Sequence, residues 1–266
     1  MIKCSLGEVE RLKITKALSG YTFAEVALPL DAYTDSPTFT IVTETEQEFT
    51  VTGSEVYPAF DNTQVVLKAN AIRKDMEPFT QVWPCSFEEA SAEKILNAVG
   101  IKGGSKEKYS FASLALTRGQ LAILIANGTP RIAFIDFEQR KVLYYDELYK
   151  AKAQEVPTKF RRIISRAPTA GAYLYGNANE GLVPDGAQAM ASFGETVGLG
   201  GYTMKRFLEN YNNLCSLFAG LQTFVWDRDL PLGACVLSPL TMTKCIVCAM
   251  EQVWTMEGHT SIYYAV

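Results

Sequence analysis

The sequence changes character near residue 80, and this change constrains the fold more than any other feature. Before it, three β-branched runs beginning near Phe39, Phe49 and Val66 are separated by prolines, a glycine and an Asp-Asn pair, which is typical of a small antiparallel sheet. After it, apolar residues recur mainly at helical spacing. We therefore predict an α+β fold, with a β-rich N-terminal arm or assembly domain at residues 1–80. A mostly helical core domain with a short β-hairpin follows at residues 81–266.

Capping signals place several of the predicted helices. Ser5 with Glu8, and Ser86 with Glu89, have the spacing of a capping box, in which each side chain bonds the other residue's backbone N–H. A charged turn between two β-branched runs within residues 131–145 indicates the hairpin. The predicted helices include residues 5–18, 86–99, 109–126, 187–192, 202–226 and 238–256.

Composition excludes several functional classes. The chain has 266 residues, is 48% hydrophobic and 20% charged, and carries a formal net charge of -4, which is typical of a globular protein. An acidic total argues against broad electrostatic capture of nucleic acid, so any such binding would be confined to a local groove. We expect no signal peptide and no membrane contact, because no apolar run reaches the length of a membrane span.

One basic segment, residues 156–175 with the sequence VPTKFRRIISRAPTAGAYLY, contrasts with this acidic background. If Pro157 begins a helix, Lys159, Arg162 and Arg166 lie on one face at i, i+3 and i+7, and the opposite face is apolar. Three cations a turn apart suit successive phosphates of a nucleic-acid chain. The alternative is a solvated basic face on an ordinary amphipathic helix.

A glycine-rich stretch at residues 198–201 offers a second anion contact. Backbone N–H groups after a glycine turn can hold a phosphate at a helix N-terminus, and Lys205 and Arg206 follow one turn later. The stretch matches neither of the common nucleotide-binding glycine motifs, so nucleotide hydrolysis is not expected. A flexible hinge is the alternative role for these glycines.

The six cysteines are too few for a disulfide scaffold at this length and suit a reducing compartment. A zinc site formed by Cys235, Cys245, Cys248 and His259 is conceivable, because two of these cysteines have C-x-x-C spacing. The alternative is that they pack on the buried side of the helix predicted at residues 238–256. We favour core packing, and we predict neither a metal nor a cofactor.

Short motifs follow one another in the centre of the chain: Asn127-Gly-Thr, then the hairpin, then Phe160-Arg-Arg-Ile, then Ala172-Tyr. Their order and spacing over residues 109–211 resemble the core of coat proteins from flexuous filamentous RNA viruses of the potyvirus type. Residues 177–184 also resemble a loop of closterovirus coat proteins.

This resemblance implies a mostly helical core whose groove holds single-stranded RNA, with arms that lock neighbouring subunits together. Arg161 matches the arginine of the family's Phe-Arg motif, and Ser165 or Thr169 would stand in for its groove serine. Beside these, Tyr173 offers an aromatic ring on which a base could stack.

We therefore expect a viral capsid protein, a nucleocapsid subunit that polymerises with identical subunits along single-stranded RNA. Such a helical filament would occur in the virion and the host cytoplasm. The alternative is a protein-only structural subunit of a virion or phage, without nucleic-acid binding. An enzyme is not expected, since a single histidine makes a hydrolytic triad hard to assemble. The predicted RNA-binding residues are Lys159, Arg161, Arg162, Ser165, Arg166, Thr169, Tyr173, Lys205 and Arg206.

Overall fold

The structure of the chain is a computed structural model. It describes residues 3–5, 9–29, 38–42, 46–58, 65–114, 116–156, 209–210, 213, 217, 220–226, 228–238, 241–255 and 257–266. Strands predominate over helices in these residues, so the prediction of a mostly helical core is wrong. The β-rich N-terminal region and the short hairpin are present as predicted. The domain boundary at residue 80 stays a prediction.

The described residues contain fifteen strands and four α-helices. The strands are β1 (Lys3–Cys4), β2 (Arg11–Ala17), β3 (Phe23–Pro29), β4 (Thr38–Val42), β5 (Glu46–Pro58), β6 (Val65–Arg73), β7 (Cys85–Ser91), β8 (Lys108–Ser113), β9 (Ala133–Asp136), β10 (Lys141–Tyr144), β11 (Gln154–Glu155), β12 (Gln222–Trp226), β13 (Cys235–Leu237), β14 (Lys244–Thr255) and β15 (Gly258–Ala265). The helices are α1 (Glu77–Thr80), α2 (Ala92–Ala98), α3 (Arg118–Asn127) and α4 (Tyr145–Lys150), with a 3₁₀ turn at Lys74–Met76.

One large sheet contains eleven of these strands. Nine follow the order β1-β4-β5-β6-β3-β2-β14-β13-β11, and β15 pairs with both β14 and β12. Its pairs are antiparallel, except that β11 runs parallel to β13. The strand pairs β7–β8 and β9–β10 form two separate two-stranded sheets, and α2 lies between β7 and β8 in the chain.

The strand β14 joins the two parts of the large sheet. Its residues 244–246 pair with β13 and its residues 249–255 pair with β2, while β15 lies along the other edge. A β-bulge at Cys248 falls where the partner changes from β13 to β2. A bulge bends its strand and increases its twist. The bulge therefore accommodates the change of pairing partner from β13 to β2 along β14.

The helix predicted at residues 238–256 is therefore wrong, since this segment forms β14. Residues 245–250 are all buried, so both faces of the strand contact apolar neighbours. A continuous apolar run of this kind does not distinguish a buried strand from a buried helix. The same ambiguity affects the helix predicted at residues 202–226, whose last five residues form β12.

The helix predicted at residues 5–18 is also wrong, because residues 11–17 form β2. Leu12 and Ile14 are buried, whereas Arg11 is exposed and Lys13 pairs with Glu25 on β3 at 3.3 Å. This alternation with a period of two is the pattern of a half-buried strand.

Five neighbouring strands of the large sheet share an apolar cluster. Phe39 on β4 and Phe49 on β5 are cross-strand partners whose ring centroids lie 5.8 Å apart. The strands β4, β5, β6, β3 and β2 are consecutive in the sheet, so their apolar residues form one continuous group. The cluster comprises Leu12, Ile14, Ala24, Val26, Phe39, Ile41, Phe49 and Ala71.

The largest apolar cluster surrounds α3, which is buried along almost its whole length. Thr117 and Gln120 form a capping box at its start, so the helix begins where the sequence supplies this signal. At its end, the buried Asn210 side chain donates hydrogen bonds to the backbone oxygens of Asn127 and Thr129 at 2.7 and 2.6 Å. These contacts fix the turn that leads from α3 into β9.

Candidate assembly surface

The nine residues predicted to bind RNA lie within residues 157–208, outside the residues that the structure describes. The glycine-rich stretch at residues 198–201 lies there too. Their arrangement therefore stays a prediction.

The cysteines considered for a zinc site pack as buried thiols. Cys235, Cys245 and Cys248 are each at most 3% exposed, and the Cys248 thiol donates to the Tyr264 carbonyl oxygen at 3.2 Å. His259 stacks on Trp254, nine residues along β14 from Cys245. No three His, Cys, Asp or Glu side chains are grouped to hold a metal ion within the described ranges.

Burial shifts the pKa of Cys245 and of Cys248 upwards. Burial, with a smaller contribution from the nearby Cys235, raises the pKa of Cys245 to about 11. Burial also raises the pKa of Cys248 well above the ordinary value. Because the thiolate is the nucleophile and the metal ligand, both groups are poorly suited to either role.

Two exposed apolar residues lie where the β7–β8 pair begins. Val82 is 55% exposed and Leu114 is 82% exposed. They lie on neighbouring segments, because Val82 bridges Thr117, Cys85 pairs with Ser113, and Leu114 lies between those two partners. They are two of the four large apolar side chains that the described residues leave exposed.

Trp83 follows Val82 in the chain, packs against the apolar cluster around α3, and contacts Arg118. The guanidinium carbon of Arg118 lies 5.5 Å from the centroid of the Trp83 ring, a cation–π arrangement. Arg118 has no ion pair within 4.0 Å in the part of the chain that the structure describes. We call Val82, Trp83, Leu114 and Arg118 the hairpin patch.

The backbone beneath the hairpin patch is held by specific hydrogen bonds. The Trp83 N–H donates to the Leu116 carbonyl at 2.8 Å, and the Arg118 N–H donates to the Gln81 carbonyl at 3.2 Å. The Ser113 hydroxyl oxygen accepts the Leu116 N–H at 3.2 Å. The patch is therefore preorganised, so a partner would bind it with little loss of conformational entropy.

A row of aromatic rings connects the hairpin patch to the core. Trp83 and Phe87 have ring centroids 6.1 Å apart, and Phe87 and the buried Phe111 are 5.6 Å apart. Tryptophan and arginine are over-represented among residues that dominate protein–protein binding. The arrangement therefore fits a protein contact surface. The tryptophan in the apolar run Val82-Trp-Pro is the sequence signal that could have indicated it.

No helix in the described parts of the chain is long and apolar enough to cross a membrane.

Comparison with known proteins places the fold. No protein-family model and no curated protein sequence matches the chain. Solved structures do match: a 43 kDa tail protein of prophage MuSo2 from Shewanella oneidensis superposes with a TM-score of 0.55 at 10% identity, over 100% of this chain and 95% of that one. A tail protein from Neisseria meningitidis MC58 gives a TM-score of 0.57 at 9% identity, over 99% and 94%.

A third match is a component of the type VI secretion system of E. coli, described as structurally similar to bacteriophage T4 tail proteins. Its TM-score is 0.51 at 7% identity, over 100% of this chain and 76% of that chain. The fold of this chain is therefore shared with phage tail proteins and with a type VI secretion component.

The predicted relationship to coat proteins of filamentous RNA viruses is wrong. The motifs behind it are turn and helix-end signals of two to four residues, which unrelated folds share. The segment read as one apolar helix at residues 109–126 in fact begins with β8, and α3 starts only at Arg118. The capsid, RNA-binding nucleocapsid and host-cytoplasm predictions are wrong with it. The structural neighbours agree better with the alternative, a protein-only structural subunit.

Proposed function

We propose that this chain is a structural subunit of a phage tail or of a related injection machine, acting through protein contacts and without catalysis. The observation that carries the proposal is the full-length superposition on two tail proteins, over 99–100% of this chain and 94–95% of theirs. A shared fold does not by itself define a function. The surface of this chain supplies the second support.

The hairpin patch supports assembly with other protein chains. Leu114 is 82% exposed and Val82 is 55% exposed, and apolar surface left in water in this way is unfavourable for an isolated subunit. Covering Val82, Trp83 and Leu114 with another chain would remove that apolar surface from water. We propose that the covering chain includes further copies of this protein, as in a symmetric homo-oligomer.

The experiment is light scattering after size-exclusion chromatography, with the absorbance ratio at 260 and 280 nm and negative-stain images of the same fractions. We expect nucleic-acid-free oligomers whose mass is a multiple of 29.4 kDa. Filaments containing nucleic acid would contradict the proposal. A protein that stays monomeric at every concentration tested would contradict the homo-oligomer.

A further inference from the structure

Three basic residues occupy adjoining backbone positions where the loop after α2 reaches the β9–β10 hairpin. Lys102 and Lys141 are bridge partners in a short parallel contact. The Lys102 N–H donates to the Arg140 carbonyl at 2.7 Å, and the Val142 N–H donates to the Lys102 carbonyl at 2.9 Å. Two residues far apart in sequence are thus fixed side by side. We call Lys102, Arg140 and Lys141 the basic corner.

Of the acidic groups of the same hairpin, Asp136 is the cross-strand partner of Lys141, and Glu138 is paired with other cations. Asp136 is 3% exposed and accepts the Gln139 N–H at 2.9 Å; Lys141 is near enough to lower its pKa slightly, against the larger effect of burial. Glu138 accepts hydrogen bonds from Arg73 and Thr22 and pairs with Lys16. Within the described residues, no carboxylate lies within 4.0 Å of a basic-corner nitrogen.

The conformation of Arg140 adds to this. Its φ of 53° places the Arg140 backbone in the left-handed region, which costs a residue other than glycine roughly 1–2 kcal/mol. Lys102 and Arg140 are also exposed, and like charges on adjoining residues repel one another. The Arg140 guanidinium carbon lies 5.9 Å from the centroid of the Phe79 ring, so a cation–π contact offsets part of this cost within the subunit. An anionic partner that faces the corner would offset the repulsion that remains.

Resting on the proposed assembly role, we propose that the basic corner binds carboxylates of a second copy of this chain. The chain is acidic overall, with a net charge of -4, so identical subunits repel unless such a positive site meets a negative one. Glu88 and Glu89 are the counterpart. Both are exposed and adjacent, and they lie at the bulge of β7, next to Phe87 beside the hairpin patch.

The local pairing of this acidic pair is weak. Glu89 lies 3.6 Å from Lys108, with both side chains more than 60% exposed, so that ion pair contributes little. A contact between the basic corner of one copy and Glu88–Glu89 of the next is head-to-tail. Such contacts close into rings when the rotation between subunits allows. The hairpin patch would then be covered in the same interface.

The test is sedimentation velocity of the full chain at about 0.05 M and about 0.5 M salt, because screening removes exposed ion pairs. In the double variant Arg140→Gly with Lys141→Gln, we expect self-association to weaken at least about tenfold at low salt. Glycine accepts the backbone angle of residue 140, so the folded monomer should be at least as stable, as judged by its thermal midpoint. The matched control, Lys150→Gln with Lys152→Gln, removes the same charge elsewhere and should associate like the wild type.

A charge exchange makes the test reciprocal. Arg140→Glu with Lys141→Glu, and separately Glu88→Lys with Glu89→Lys, should each fail to self-associate, whereas an equimolar mixture should regain assembly. If the equimolar mixture fails to assemble, the assigned contact between the basic corner and Glu88–Glu89 is wrong. It is also wrong if the Arg140→Gly, Lys141→Gln variant assembles like the wild type. In both cases the proposed assembly role still stands. A wild type that is monomeric at both salts overturns the inference together with the homo-oligomer. If the basic-corner variants lose binding to a short single-stranded DNA while their assembly is unchanged, the choice of a protein as the partner of the basic corner is wrong.

Discussion

Arg73 at the end of β6 and Glu138 in the β9–β10 turn form an ion pair that joins the large sheet to the hairpin. The guanidinium Nη1 lies 2.5 Å from the carboxylate Oε1, with the two side chains 16% and 28% exposed. The same oxygen accepts the Thr22 hydroxyl at 2.9 Å and lies 3.3 Å from the Lys16 ammonium. One carboxylate therefore opposes two cations from two strands of the sheet.

Replacing Glu138 with glutamine should destabilise the chain by about 1–3 kcal/mol, because two partly buried cations lose their shared counter-charge. The measurement is the free energy of unfolding in urea. Glu147→Gln is the control, since Glu147 is 62% exposed in its pair with Arg131 and should contribute less than about 1 kcal/mol. Equal losses for both variants would show that Glu138 acts as an ordinary surface charge.

Gly119 is required because Tyr21 occupies the space of a side chain. A β-carbon at Gly119 would overlap the Tyr21 hydroxyl, which donates to the Phe79 carbonyl at 2.9 Å. We expect Gly119→Ala to cost about 1–3 kcal/mol of unfolding free energy, as overpacked cores do. Adding Tyr21→Phe removes the overlapping atom, so the double variant should recover part of that loss.

The control for this overlap is Gly220→Ala, where the new β-carbon would meet only the Leu217 carbonyl at 3.4 Å. It should change stability by less than about 0.5 kcal/mol, as exposed substitutions do. If Tyr21→Phe gives no recovery in the Gly119→Ala background, the overlap is not the cause of the destabilisation.

Asp136 gives a prediction about pH. Burial raises its pKa in the folded chain above the ordinary 3.8, so the ionised form is less favourable in the folded state than in the unfolded state. Asp136 therefore contributes most to the stability of the fold below pH 3.8, where it is protonated. This contribution is lost as the pH rises through its pKa in the folded chain. Asp136→Asn keeps an oxygen to accept the Gln139 N–H and removes the charge.

We therefore expect Asp136→Asn to match the wild type in acid and to be more stable at neutral pH, by about 1.4 kcal/mol per unit of pKa difference. The measurement is the urea midpoint of both proteins across this pH range. Comparing the pair at each pH cancels the titration of the other carboxylates. A variant that is less stable than the wild type at neutral pH would contradict the buried-charge argument.

The buried thiols give a chemical prediction. With a pKa of about 11, only about one Cys245 side chain in a thousand is a thiolate at about pH 8. Iodoacetamide should therefore leave Cys245 and Cys248 unmodified in the folded chain, as read by peptide mass spectrometry. Both should react in concentrated urea. Rapid modification of the folded chain would mean that β14 opens locally.

The sequence predicts those parts of the fold whose strands are bounded by turn residues. The runs at Phe39, Phe49 and Val66 form β4, β5 and β6, and the charged turn of the β9–β10 hairpin lies at residues 137–140 as expected. These strands have local signals, because proline, glycine and charged residues end them. Local patterns were therefore sufficient here.

The rest of the fold depends on non-local pairing. Cys245 to Met250 fit a helix or a strand equally well, and pairing decides between them: with β2, which lies far away in sequence, and with β15, which follows β14 directly. The wrong helix prediction at Leu12 and Ile14 has a different cause. The capping-box spacing of Ser5 and Glu8 was given more weight than the alternation of apolar and polar residues along this segment. The hairpin patch was missed because its residues come from two segments that only the register brings together.

The hairpin patch gives the most direct prediction of the assembly role. Leu114→Asp places a charge on an 82% exposed side chain, so the folded monomer should keep its stability within about 0.5 kcal/mol. In an interface the same charge would be buried without a fixed partner, and association should weaken by at least about 2 kcal/mol, or roughly 30-fold. Sedimentation velocity gives the association constant. Met242→Asp is the control, because Met242 is 65% exposed away from the patch. Equal association of the Leu114→Asp variant and the wild type would exclude the hairpin patch from the interface.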